Sequence, residues 1–286
     1  MTVWALILIL AAAFIHATWN LLAKRASGHA TFTWLFAVVS AGIYAPIAIL
    51  LIVVYDEPIG WTHLGFMAGS AVLHTAYFVL LNEGYRAGDL SLVYPLARGT
   101  GPLLSSIAAI LFLGERPPPA ALAGALLVVA GIVVLTVDPG RVRLIDARKP
   151  VLYALVTGIF IAGYTLWDKQ AVSAFSISPL LLDWGANAGR ALLLTPFAVK
   201  RWDRARAEWR EHRREAFGVA ILAPLSYILV LTALRFTPVS YVAPAREVSI
   251  LIGTAMGARL LSEGGARRRL AAASMMLLGL VALSLA

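Results

Sequence analysis

The sequence predicts an all-α integral membrane protein of ten transmembrane helices, arranged as two inverted five-helix repeats. Three observations point there: apolar residues gathered into long runs, basic residues concentrated in alternate connections, and a self-similarity at an offset of 148–149 residues. The 286 residues are 60% hydrophobic and only 14% charged, with mean hydropathy +0.81. A globular domain carries about a quarter charged residues. A hydrocarbon core of roughly 30 Å needs about 20 helical residues at about 1.5 Å each, and the runs reach that length.

The first run, 3–22, begins VWALILILAAAFIHATW. It lacks the basic start of a secretory signal and continues through His16, Trp19 and Asn20, so it reads as a span. The next four runs are 31–54, 62–82, 89–113 and 118–137, and a basic stretch follows. The second set is 150–169, 179–199, 216–235, 239–261 and 268–285. Prolines and glycines inside several runs are compatible with spans, because neighbouring helices satisfy the freed backbone groups. Continuous rather than alternating hydrophobicity excludes a β-barrel. The units are thus 1–137, a cytoplasmic linker 138–149, and 150–286.

Cysteine is absent, which removes disulfides and thiolate metal sites. The formal charge of +9 does not indicate nucleic acid, because the charges lie between spans. Connections after spans 1, 3, 5, 7 and 9 hold seventeen Lys/Arg, and those after spans 2, 4, 6 and 8 hold three: Arg116, Lys169 and Arg235. The positive-inside rule puts the former in the cytoplasm and both termini outside, as in the inner membrane of a bacterium. The most basic stretch, 200–214, carries Trp202 and Trp209 seven apart. It reads equally as an interfacial helix or a solvated loop.

The repeat aligns Ser91-Leu92-Val93-Tyr94-Pro95 with Ser240-Tyr241-Val242-Ala243-Pro244. It also pairs Arg98 with Arg246, Glu115 with Glu263, Gly131 with Gly279, Trp19 with Trp167 and Asn20 with Asp168. Five spans per unit is an odd number, so the second copy enters the membrane from the opposite side. Inverted repeats place a substrate site near the midplane, between halves that exchange inward and outward conformations.

The strings HATWNLLAKR (16–25), NEGYRAGDLSLVYPLARGTGP (82–102) with LGER (113–116), and YTLWDKQAV (164–172) resemble the EamA-like branch of the drug/metabolite transporter superfamily. The resemblance implies secondary transport of a polar metabolite, a central cavity lined by spans 1–4 and 6–9, and peripheral spans 5 and 10. It also implies cytoplasmic termini, against which the charge distribution stands.

A charge at the centre of a span needs a partner or a wet cavity. Arg98 and Arg246 lie roughly 10–14 Å into their spans, each just after a proline, Pro95 or Pro244, that opens the helix. A guanidinium beside a broken helix suits a carboxylate or phosphate. The alternative is that each arginine neutralises Glu247, Asp183 or Asp168. Glu247 follows Arg246 and, at about 100° per helical residue, points elsewhere around the helix, open to a different partner. Asp183, Asn187 and Arg190 share one face of span 7. His16, Trp19 and Asn20 form a stripe on span 1, matched by Tyr164, Trp167 and Asp168 on span 6. His74, Tyr77 and Tyr227 are further lining candidates, and packing is the competing reading for all the aromatics.

The titratable groups suited to carrying a proton are His16, Asp168, Asp183 and Glu247. Glu115 and Glu263, near span ends, read as structural. Gly65/Gly69 and Gly253/Gly257 have small-xxx-small spacing. No phosphate-binding loop, metal-ligand cluster or nucleophile motif occurs, so neither cofactor, metal nor enzyme chemistry is expected. The expected function is secondary transport of a small anionic or zwitterionic metabolite by alternating access, by a monomer or homodimer in the bilayer. A flippase for a lipid-linked or amphiphilic substrate is the alternative, followed by an intramembrane enzyme.

Overall fold

In the computed structural model, the described residues are 1–26, 30–57, 59–87, 90–136, 148–258 and 266–286. They form eleven α-helices and no strand. In order these are α1 Val3–Arg25, α2 Ala30–Val54, α3 Trp61–Ala87, α4 Leu90–Leu113, α5 Pro119–Thr136, α6 Arg148–Ser173, α7 Pro179–Lys200, α8 Trp202–Phe236, α9 Val239–Ala245, α10 Val248–Ala258 and α11 Ala266–Leu285. Six stretches among the described residues are long and apolar enough to cross a membrane: Val3–Ala23, Ala30–Val54, Trp61–Ala87, Leu96–Leu113, Arg148–Ser173 and Trp202–Phe236. Pro119–Val134 and Leu270–Leu285 are shorter apolar helices, and α7 carries Asp183, Asn187 and Arg190.

Polarity is inverted relative to a water-soluble protein. Phe112, Leu192 and Leu285 are largely exposed, whereas Asp168 and Glu247 are completely buried. Lipid tails are as apolar as leucine, so outward leucines cost nothing and the charges gather inside.

Two boundaries differ from the sequence reading, and the basic stretch takes one of its two readings. The basic stretch 200–214 is helical rather than a loop: it opens α8 and meets the apolar part at a kink, where His212 has φ −124° and ψ 25°. Its Trp202 ring meets Trp34 at 6.2 Å, and Trp209 packs on Phe217. The ninth run is broken into α9 and α10 around Arg246 and Glu247. The sixth starts at Arg148, inside the anticipated linker, whose residues 138–147 lie outside the described set, as does Glu263.

Packing follows a reciprocal pattern: α1 lies on α8 and α3 on α6, α2 packs on α7 and α5 on α11. A Cβ on Gly124 would meet the Gly279 carbonyl at 2.7 Å, and one on Gly131 would meet that of Ala272 at 3.0 Å. Position rises along α5 as it falls along α11, so the two run antiparallel. Between α2 and α7, the Trp34 indole donates to Thr195 Oγ1 (3.0 Å) and the Trp184 indole to the Ala41 carbonyl (2.9 Å). The anticipated glycine contacts are redistributed. Gly65 faces open space, Gly253 makes an ordinary contact with Ala17, and Gly69 lies under the Trp167 ring. The side-chain surroundings of Gly257 lie outside the described set.

Helices α2, α4 and α6 end alike. Asp56, Gly114 and Ser176 take left-handed φ values of 55°, 68° and 53°. The next N–H reaches back six residues: Glu57 to Leu51 (3.2 Å), Glu115 to Ala109 (3.3 Å) and Ile177 to Ala171 (3.0 Å). These endings satisfy the last carbonyls and turn the chain sharply.

Candidate functional site

The site is built around the break between α9 and α10. Pro244 donates no backbone bond, and the turn tightens. Glu247 N–H goes to the Pro244 carbonyl (3.1 Å), Ser249 to Arg246 (3.1 Å) and Ile250 to Glu247 (2.9 Å). Arg246 keeps right-handed helical dihedrals (φ −63°, ψ −21°), and its long side chain reaches the carboxylate of the next residue. Arg246 Nε donates to Glu247 Oε1 at 3.2 Å, while Arg98 Nη2, from α4, lies 2.8 Å from Glu247 Oε2. Glu247 thus serves another partner, Arg98, as the sequence allowed, and holds Arg246 as well. Two buried guanidiniums share one carboxylate, leaving the triad one positive charge in excess.

Arg246 Nη2 also donates to the Tyr164 hydroxyl at 2.9 Å. Tyr164 leads into an aromatic box from α3, α6 and α8. His74 stacks on Tyr164 with centroids 4.0 Å apart, Tyr77 meets Tyr164 edge-on at 5.8 Å, and Tyr227 meets His74 at 5.2 Å. Nδ1 of His74 lies 2.9 Å from the Ser70 carbonyl, a contact that requires a proton on Nδ1. The Tyr227 hydroxyl donates to Asp168 Oδ2 at 2.5 Å, and His74 Nε2 is 4.0 Å from the same oxygen. Oδ1 of Asp168 is buried and makes no hydrogen bond of good geometry among the described residues, although the Ser70 hydroxyl lies beside the carboxylate.

Helix α7 supplies a relay along one face. Asn187 donates to Asp183 Oδ2 at 2.9 Å, and Arg190 Nη1 donates to Asn187 Oδ1 at 3.2 Å. Nε of Arg190 is buried and unpartnered among the described residues. Its guanidinium feels the charge of Asp183 across the cluster. On α1, His16 neighbours Arg98 and Arg246 and meets Trp19 edge-on at 4.8 Å.

Arg98, Arg246, Glu247, His16, Tyr77, Tyr164, Tyr227, Asp168, Asn187, Arg190 and Asp183 therefore converge, with Trp19 at the margin against Phe32 and Ala216. Asn20 and Trp167 do not join them. Asn20 is exposed, and its amide returns to the His16 carbonyl (2.9 Å). Trp167 is 38% exposed, and its indole donates to the Phe66 carbonyl (2.9 Å). Trp167 lies one position before the inward Asp168, and Asn20, four residues after His16, is nearer the end of α1. Ser70 escaped the sequence reading, although a serine four residues before His74 is positioned to touch it.

A multi-pass helical chain with charged groups gathered in its interior has the make-up of a membrane transporter. The profile of the EamA-like transporter family matches residues 3–137 and again 148–285, and the chain belongs to that family. The protein is a membrane transporter of small substrates. A solved crystal structure superposes with a TM-score of 0.78 at 16% identity, covering 98% of this chain and 96% of the other, which is a likeness of fold. A sequence search of curated proteins gave no match.

Proposed function

We propose that this transporter moves a small anionic or zwitterionic metabolite by alternating access of two inverted five-helix units, residues 1–137 and 150–286. The carrying observation is a pair of buried polar atoms without a hydrogen-bond partner among the described residues, Asp168 Oδ1 and Arg190 Nε, on side chains whose charges act on each other. A carboxylate or phosphate matches the free guanidinium edge, and an ammonium or a proton matches the carboxylate. Arg98 and Arg246, held by Glu247, keep that region positive. The reciprocal packing and the antiparallel α5/α11 and α2/α7 pairs support the inverted arrangement.

The test is a thermal-shift screen of purified protein against amino acids, organic phosphates, phosphonates and nucleotide sugars. A ligand at a hundred times its dissociation constant adds about 2.7 kcal/mol of apparent stability. Arg190→Lys retains charge but lacks the planar fork, and is expected to abolish the ligand-dependent shift while the protein still inserts and melts cooperatively. Asp168→Asn is expected to abolish it for zwitterions and spare simple anions. An undiminished shift in both variants removes these two residues from the site.

A further inference from the structure

The turn between α8 and α9, Thr237–Pro238, is gripped from two sides by ionised side chains. Glu115, just past the left-handed Gly114 that ends α4, reaches across to the start of α9. Its Oε1 accepts from Val239 N–H at 2.6 Å and its Oε2 from Ser240 N–H at 2.9 Å. Lys169, on α6, donates to the Leu234 carbonyl at 2.6 Å and the Thr237 carbonyl at 3.2 Å at the end of α8. Each charge sits at the helix end whose dipole it complements.

Both arms of this grip lead directly to the buried cluster. Lys169 follows Asp168 in sequence. The seven residues of α9, about 10 Å of helix, run from the Glu115 contact to Arg246 and Glu247. Glu115 belongs to the first five-helix unit, while Lys169, α8 and α9 belong to the second. The contact therefore joins the two units, on a connection that the charge distribution assigns to the outside.

We propose that Glu115 and Lys169 form a gate clamp: while both hold the α8–α9 turn the site is shut on this face, and transport requires their release. This rests on the alternating-access reading. Glu115 is a positioning residue that acts through α9 on Arg246 and Glu247, without touching the substrate.

The absence of cysteine permits a direct test. Ser249, buried two positions beyond Glu247, is replaced by cysteine and labelled with a membrane-impermeant maleimide in vesicles of each orientation, without substrate. Glu115→Ala is expected to raise the labelling rate from the clamp face about tenfold, as loss of charge-assisted bonds implies, and to leave the opposite face unchanged or slower. Glu115→Gln, which retains an acceptor, should give a smaller rise in the same direction. Lys169→Met should act as Glu115→Ala does, and the Gln and Met variants carry the test if Glu115→Ala fails to insert. Unchanged labelling, or an equal rise from both faces, overturns the clamp and leaves Glu115 an ordinary helix cap. Because no substrate is present, the one-sided rise stands or falls apart from the transport reading. That reading fails separately if no anionic or zwitterionic ligand slows the labelling.

Discussion

At the scale of single residues, Glu247 is the group on which most of the buried charge depends. Arg98 and Arg246 both contact it, so Glu247→Gln leaves two buried guanidiniums facing one another without a counter-charge. Breaking a buried pair by removing one partner costs about 3–5 kcal/mol, and the expected outcome is a large fall in melting temperature with little folded protein recovered. Arg98→Lys retains the charge and should lose considerably less. Equal melting temperatures for the wild type and Glu247→Gln would show that the triad does not hold the fold. The sequence marked Arg98, Arg246 and Glu247 as buried charges because each lies deep in an apolar run. It left open whether each arginine faces a substrate or a carboxylate, and it set Glu247 apart by helical periodicity. In the structure Glu247 serves both arginines, reaching Arg98 on α4 and Arg246 beside it.

At the scale of elements, the crossing of α5 and α11 depends on glycine. A Cβ at Gly279 would stand 2.5 Å from the Gly124 carbonyl and 2.9 Å from the Val128 backbone nitrogen, atoms that move only if the helices separate. Gly279→Val is expected to destabilise by about 1–3 kcal/mol, whereas Gly65→Ala, facing open space, should be neutral within about 0.5 kcal/mol. Comparable losses for the two, measured by thermal melting in detergent, would contradict the close crossing. The repeat had already paired Gly131 with Gly279. That both hold a close helix approach follows from contacts in space, since small-residue spacing is as good at Gly65/Gly69 as anywhere in the chain.

At the scale of the whole molecule, seventeen basic residues in the odd connections against three in the even ones predict external termini. Met1 and Ser284 lie together, the N-terminal ammonium 3.4 Å from the Ser284 carbonyl. A reporter active only in the cytoplasm is expected to be silent when fused after Ala286 and active when inserted near Arg206. The opposite pattern would place both termini inside, as the family resemblance implies.

The helical class, the two-part layout and the identity of the buried charges were legible in the sequence, because each depends on local quantities. Hydropathy over about 20 residues selects lipid as solvent, and a repeated string records its own duplication. Partnership was decided by the tertiary structure. Glu247 bridges two helices, Tyr227 reaches Asp168 across 59 positions and Glu115 caps α9 across 124. The LGER motif announced the turn at Gly114, yet nothing along the chain said which helix end the following carboxylate would meet. A side chain's partners are set by the distance between helices and their rotation about their axes, and neither is written in any local run of residues.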